Sequence, residues 1–419
     1  MQTIARREFF GLMKSAGALG ISRALFPSWF PRVALRADKS APPGDILVVV
    51  FQRGGMDGLN AVVPYGDGAL YYDRRPTLAI PAPNGGDNAA LDLDGHFGLH
   101  PALRPLKEIY DAGQLAVIHA AGSPDETRSH FAAMELMERG AQGVGGVGWI
   151  NRHLQTTAWQ NESPFRAVGM GTLIQGSLQG PIPAFALQSI AEFHLKGREN
   201  QLATIQHTLS NLYSIQAPGD DVDRQAAQVF ATMDTMSQLA GQGYTPAHGA
   251  VYPETSFGMG LLQIAQLIKA EIGVEVACVD IGGWDTHELQ GGAQGEMANV
   301  LADFAKGLGA FNTDLGERMR DITVVTMSEF GRRVEQNASD GTDHGHANAM
   351  FVFGGGVNGG IHTDWPTLEE HRLDNGDLAL TTDYRDVLSE IISARLLNPA
   401  LDQIFPNYTP TLRGIVRAR

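Results

Sequence analysis

The sequence predicts an α/β protein: a doubly wound, mostly parallel sheet with helices on both faces. Three observations carry that expectation. Several short runs are apolar at every position rather than alternating, which marks strands buried on both faces. Longer helical segments alternate with those runs, as crossovers between parallel strands require. The residues of chemical interest cluster where the runs end, and open α/β sheets bind ligands outside the carboxyl ends of their strands.

Ile46–Phe51, after the Pro-rich joint Ala41-Pro42-Pro43-Gly44, is the first such run. A helix over Pro101–Ala112 leads to Leu115–Ala120, helix Ser256–Ile272 to Val274–Ile281, and helix Ala293–Arg320 to Ile322–Met327. Ala349–Phe353 is a further strand, and Thr382–Leu397 a C-terminal helix capped by Thr382 or Asp383. Residues 141–255 differ, with glycine-rich turns, short apolar pieces (Phe165–Met170, Pro183–Leu187) and polar helices such as Arg224–Gly241. That stretch is expected to be a cap or insertion on one domain spanning 45–415. Neither internal repeats nor low-complexity tracts interrupt the chain.

Composition narrows the function. With 419 residues, 43% hydrophobic and 18% charged, the chain can bury a sizeable core and is not disordered. A balance of 31 basic against 46 acidic residues, −15, argues against nucleic acid or anionic lipid as the main partner. The 50 glycines follow no three-residue period, so they imply tight loops rather than collagen. Cys278 stands alone, which excludes an internal disulfide and any cysteine-cluster metal site; within its apolar run it reads as a buried, inert thiol.

Residues 1–37 read as an address rather than as fold. Arg6-Arg7 precedes Glu8-Phe9-Phe10 and a weakly apolar run, Gly11 to Phe30, broken by Lys14 and Arg23. This is the pattern of a twin-arginine export signal, which carries folded proteins out of the cytoplasm. The run is too polar for a spanning helix. Ala34 and Ala37 offer a cleavage point; loss of six basic residues and one acid would leave 25 against 45, or −20. A periplasmic or secreted protein without a stable membrane span is expected.

The loops at the ends of these runs hold the reactive side chains. The first run enters Gly54-Gly55-Met56-Asp57-Gly58, the run Val274–Ile281 enters Gly282-Gly283-Trp284-Asp285-Thr286-His287, and Ile322–Met327 enters Ser328-Glu329-Phe330-Gly331-Arg332-Arg333. Gly341-Thr342-Asp343-His344-Gly345-His346 stands just before Ala349–Phe353. Asp57, Asp285, His287 and Glu329 should therefore share one sheet edge. Carboxylates and imidazoles gathered there repel or stay neutral unless a cation neutralises them. Asp/Glu oxygens with His nitrogens and no thiolate suit Zn²⁺ or Mn²⁺ first, with Ca²⁺ or Mg²⁺ as alternatives. Taken singly, an Asp-x-His is more often a hydrogen-bonded turn than a ligand pair, and Asp343–His346 is as well read as a surface loop; the set at successive strand ends favours metal.

Arg128-Ser129-His130 opens a helix over Phe131–Arg139. Ser129 has two readings, a nucleophile beside a metal or a plain N-cap. Arg128 is a candidate substrate contact; His130 is one too, with metal ligand, acid or no role as its other readings. Arg332 and Arg333 could clamp ester oxygens bidentately or form surface ion pairs.

Together these strings resemble the exported bacterial "domain of unknown function 1501" family. The likeness runs through Gly-Gly-Met-Asp-Gly-Leu-Asn (54–60), Leu99-His100-Pro101-Ala102-Leu103, Arg128-Ser129-His130-Phe131, Gly-Trp-Asp-Thr-His (283–287), Ser-Glu-Phe-Gly-Arg (328–332), Gly-Thr-Asp-His-Gly-His (341–346) and Asp383-Tyr384-Arg385-Asp386. That grouping looks like a branch of the alkaline-phosphatase and sulfatase superfamily, which implies a two-metal site. On that likeness Asp57, Asp285, His287, Glu329 and either His344 or His346 match metal ligands, and Ser129 matches the nucleophile. Phe330 stands where a His ligand is usual, so one site is incomplete or is completed by Asp343 and the spare His. His100 is expected to be a packed structural residue.

The function expected is a metal-dependent hydrolase or transferase acting on an anionic phosphate or sulfate ester. The alternative is a non-catalytic exported binding or scaffold protein with a protein partner. A dinucleotide-dependent oxidoreductase fits poorly, because residues 54–58 lack Gly-x-Gly-x-x-Gly and place Asp57 where a pyrophosphate would sit.

Overall fold

The computed structural model describes residues 44–157, 161, 163–190, 232 and 235–419. The expected export signal and most of helix Arg224–Gly241 lie outside the described residues. In chain order the strands are β1 (Ile46–Gln52), β2 (Val62–Val63), β3 (Leu91–Asp92), β4 (Gly98–Leu99), β5 (Leu115–Gly122) and β6 (Ala167–Met170). They continue with β7 (Phe185–Leu187), β8 (Val276–Ile281), β9 (Ile322–Met327), β10 (Asn348–Gly354), β11 (Gly360–His362) and β12 (Thr382–Asp383).

Nine strands make the main sheet, in the order β11-β5-β10-β9-β1-β8-β6-β7, with β12 also paired to β5. All pairings are parallel except the two made by β10, which runs against β9 and β5. The expected doubly wound, mostly parallel sheet is thus present, with one reversed strand. Strands β2, β3 and β4 form a small separate antiparallel sheet.

The two-sided apolar runs do what their pattern implies. On β1, Val48 and Val50 join the core under helices Ser256–Lys269 and Glu296–Leu315. Leu47, Val49 and Phe51, pointing the other way, join the core under helix Tyr384–Ala394. Cys278, on β8, is buried, and burial pushes its thiol up, as an inert core cysteine requires.

Residues 141–255 do more than cap. The short apolar pieces near 165–170 and 183–187 become β6 and β7, which extend the sheet in parallel beyond β8. Strand Ala349–Phe353 corresponds to β10, and its reversal has a consequence for the site. An antiparallel strand starts at the edge where its parallel neighbours end. The loop before β10, residues 341–346, therefore stands at the carboxyl edge beside the loops after β1, β8 and β9.

Candidate metal centre

Three loops and one helix start meet at that edge. Trp284, buried, anchors the loop after β8 by donating from Nε1 to the Ile281 carbonyl at 2.9 Å. The loops after β9 and before β10 pair through their backbones, Gly331 N donating to His346 O and Gly345 N to Gly331 O, both at 2.8 Å. Gly55 has φ +64°, and a Cβ there would lie 2.6 Å from the Phe330 ring, so only glycine permits this approach. Helix His130–Arg139 begins beside them.

The side chains converge on one atom. Oδ1 of Asp285 lies 3.3 Å from His130 Nε2, 3.0 Å from His287 Nε2, 3.1 Å from His344 Nε2 and 2.7 Å from Arg332 Nη2. His287 Nε2 and His344 Nε2 are themselves 3.0 Å apart. Two imidazole nitrogens sharing a tetrahedral ion with bonds of about 2.0–2.1 Å would stand about 3.3 Å apart, so little movement separates this arrangement from a ligand set.

The other ring nitrogens fix the tautomers. His130 Nδ1 donates to Glu329 Oε1 at 2.7 Å, His287 Nδ1 to Asp343 Oδ1 at 3.0 Å, and His344 Nδ1 to the Arg128 carbonyl at 2.8 Å. Each partner is an acceptor, so each Nδ1 holds a proton, and in its neutral form each ring turns a lone pair at Nε2 towards Asp285. Burial pushes the His344 imidazole down, which favours that neutral form. Burial alone would raise the Asp285 carboxyl, but the hydrogen bond and charge of Arg332 hold it well below its ordinary value. Three such lone pairs around a carboxylate call for positive charge, of which Arg332 supplies one unit at 2.7 Å. His130, Asp285 and His344 make a group able to hold an ion, and His287 borders it. It is the one such group among the described residues.

The remaining expected residues take other places. Glu329 lies behind His130: its Oε1 also accepts from Gly54 N at 2.8 Å, and its Oε2 from Ser328 Oγ at 3.2 Å. Asp343 likewise stands behind His287, its carboxyl lowered by hydrogen bonds from Asn337 and His287. Of the two histidines in 341–346, His344 reaches the cluster. His346 is engaged at both nitrogens, with Asp374 Oδ2 at 2.9 Å and the Ser123 carbonyl at 3.0 Å.

Asp57 is not among the converging donors. It is buried with Arg75 Nη1 at 2.5 Å and Gln290 Nε2 at 2.7 Å from its Oδ2. The cation that neutralises Asp57 is a guanidinium. His100 is packed, as expected: Nδ1 accepts from Ala102 N and Nε2 donates to the Gly292 carbonyl.

Arg332 does not project towards an ester. Its buried guanidinium donates to the carbonyls of Gly54, Gly55, Trp284 and Thr342 as well as to Asp285. Arg333 is more exposed and donates to the Asn375 carbonyl at 2.8 Å. Arg128 donates to the Gly345 carbonyl at 2.7 Å and pairs with buried Asp377. Ser129 is exposed at the N-cap, yet its hydroxyl caps no helix amide. Phe330, buried, lays its ring 4.9 Å from that of His130 and 4.7 Å from that of His344. It walls the cluster rather than adding a ligand. Sequence reasoning missed Arg75, Gln290 and Asp377, which sit in stretches without motif or periodicity; burial alone reveals them.

A mostly parallel α/β sheet with imidazoles and a carboxylate gathered at its carboxyl edge defines the class: an α/β protein with a candidate metal centre at its strand ends. Residues 113–396 match the family described as "Protein of unknown function (DUF1501)". The chain belongs to that family. No protein of curated function matches it. Among solved structures it is similar to the lipoteichoic acid synthase LtaP from Listeria monocytogenes, at 10% identity and TM-score 0.31 over 83% of this chain and 78% of that one. It is also similar to the PH0037 protein from Pyrococcus horikoshii, at 10% identity and TM-score 0.34 over 86% and 98%. A third is the C-terminal periplasmic domain of EptC from Escherichia coli, at 8% identity and TM-score 0.34 over 92% of each chain. No helix among the described residues is long and apolar enough to cross a membrane.

Proposed function

We propose that this chain is an exported, metal-dependent hydrolase or transferase acting on a phosphate or sulfate ester. The observation that supports it most is the convergence of three Nε2 lone pairs on Asp285, each ring held in the ligating tautomer by an acceptor behind it. His130, His344 and Asp285 would hold the ion, with His287 completing the set. A divalent ion there, Zn²⁺ or Mn²⁺ by its nitrogen-rich donors, would supply positive charge to the ester oxygens and acidify a neighbouring hydroxyl or water. One donor group supports one ion, where the superfamily likeness implies two.

The chain's own groups supply the rest. Ser129 Oγ, exposed one residue before His130 and free of any capping bond, is the nucleophile. Its proton passes to solvent as Oγ bonds phosphorus or sulfur and the bond to the ester alcohol breaks; that alcohol leaves with a proton from solvent, and water or a second alcohol then takes the group, restoring the serine hydroxyl. The amides at the start of helix His130–Arg139 favour an anion at that point. Arg332 positions Asp285 and takes no part in clamping the ester. The superfamily likeness and the Arg6-Arg7 start support export and this reaction class.

A second reading, a non-catalytic binding or scaffold protein, draws support from Asp57 and Asp285, each of which already has a buried guanidinium partner. Metal content of the mature, folded protein separates the two. One equivalent, lost in His130→Ala and His344→Ala and kept in Asp57→Ala, supports the enzyme and directs a screen of phosphate and sulfate esters. No metal after incubation with Zn²⁺, Mn²⁺ and Ca²⁺ would sink the catalytic reading.

A further inference from the structure

Helix His130–Arg139 does more than present its first residue to the cluster. His130, Met134 and Glu138 recur every four residues and share one helix face. Beside Met134 and Glu138, though not reaching His130, runs a groove of about 400 Å³, lined by Phe131 and Met134 on the helix and by Leu173 and Ile174, with Arg53 and Asp280 also in its lining. Arg53 immediately precedes Gly54, whose amide holds Glu329 and whose carbonyl holds Arg332. None of the four donors lines the groove, but it adjoins them: Met134 stands one helical turn from His130, and Arg53 one residue from Gly54.

The charges within it are matched to one another. Arg53 pairs with Glu138 and Asp280, both at 2.8 Å, and Arg139 pairs with Glu135 at 2.9 Å. What remains for a ligand is mainly apolar, with the amides of Gln175 and Gln179 beside it. Phe131 is 85% exposed and Leu173 81% exposed, on opposing walls, and large side chains left in water there mark a binding surface. The charged residues of the groove, two basic and three acidic, sum to −1, which disfavours a second anionic group on the substrate.

We infer that this groove takes the alcohol portion of the ester and that this portion is an aryl or alkyl group. The inference rests on the ester-cleaving reading above, and it names the substrate class of that site. Phe131 and Leu173 are then specificity residues, while the cluster handles the ester head.

Two measurements on the full mature protein test it separately from that reading. In Phe131→Trp, phenylphosphonate, an uncleavable probe, should shift the indole emission and shield it from acrylamide, whereas methylphosphonate should not. No change with phenylphosphonate overturns the inference. So does an indole already shielded without any probe, because the protein itself then fills the groove. In turnover, the preference (as kcat/KM) for phenyl over methyl phosphate should fall at least tenfold in Phe131→Ala/Leu173→Ala. An unchanged preference overturns the groove and leaves the enzyme standing. An indole response without turnover of any ester leaves the groove standing and overturns the enzyme.

Discussion

Two acids follow buried strands in glycine-rich loops, Asp57 after β1 and Asp285 after β8, and their surroundings are opposite in kind. Around Asp57 one carboxylate oxygen, Oδ2, is committed, while Oδ1 is buried with no hydrogen-bond partner. Arg75 neutralises it, Gln290 donates to it, and the nearby imidazoles of His100 and His119 use both nitrogens on backbone groups. Around Asp285 the three imidazoles use only Nδ1 elsewhere and leave Nε2 facing one oxygen. The same residue type at equivalent strand ends thus meets a guanidinium and an amide or a ring of imidazole nitrogens according to what reaches it from distant sequence. Gln290 joins the two regions, since it bonds Asp57 and also accepts from Thr286 and Thr342.

The largest effect should come from breaking the Asp57 side. Asp57→Ala strands a fully buried guanidinium at Arg75, a change that typically costs about 3–5 kcal/mol. Urea unfolding should show that loss, while the protein that still folds keeps its metal. A variant of ordinary stability that has lost its metal would return Asp57 to the ligand set.

Acid should reveal the same region next. Burial holds His119 at about 4, below its ordinary value of 6.5, so the folded protein keeps this ring neutral where the unfolded chain protonates it. Its contribution is complete above about pH 6.5 and is lost as pH falls towards about 4, amounting to about 3 kcal/mol. His153, pushed down to about 3 by burial, acts in the same direction. Urea midpoints measured with a chelator present should therefore fall across that window, and less steeply in His119→Gln. An equal slope in both proteins would assign the acid sensitivity elsewhere.

The strand runs, their helices and the sharing of one edge were legible in the sequence, because burial on both faces leaves an unbroken apolar signature. Direction was not. Nothing in Ala349–Phe353 distinguishes a reversed strand from a parallel one, and that reversal is what brings His344 to the edge. Strands β6 and β7 were visible only as short apolar pieces, too brief to separate a sheet edge from a cap. Within the site, Asp285, His287 and His344 were legible from spacing and position after or before a strand. His130 was legible as a helix start with ligand as one of several readings; what selects among them is Glu329, 199 residues away. Asp57 misled for the same reason: Arg75 carries no pattern that announces a partner.

A smaller effect should appear behind the cluster. Glu329→Gln keeps the shape of the side chain but removes the charge that holds His130 Nδ1–H. Such supports for a ligating imidazole are typically worth about 10–100-fold in metal affinity. Competition with a chromogenic chelator should show that weakening without loss of fold. Unchanged affinity would remove His130 from the donors and leave Asp285, His287 and His344 to hold the ion.

Ser129→Ala should change stability least of all. The hydroxyl caps no amide and the residue is exposed, so unfolding should shift by less than about 0.5 kcal/mol. A loss near 1 kcal/mol would instead mark a working N-cap in solution. Metal content should also be unchanged, because Ser129 contributes no donor to the group. Turnover of a phosphate or sulfate ester is where the variant should fail. That combination, intact fold and metal with no turnover, separates a nucleophile from both a cap and a ligand. Full turnover in Ser129→Ala would transfer the attacking role to water and leave the Asp285 cluster as the whole of the reactive site.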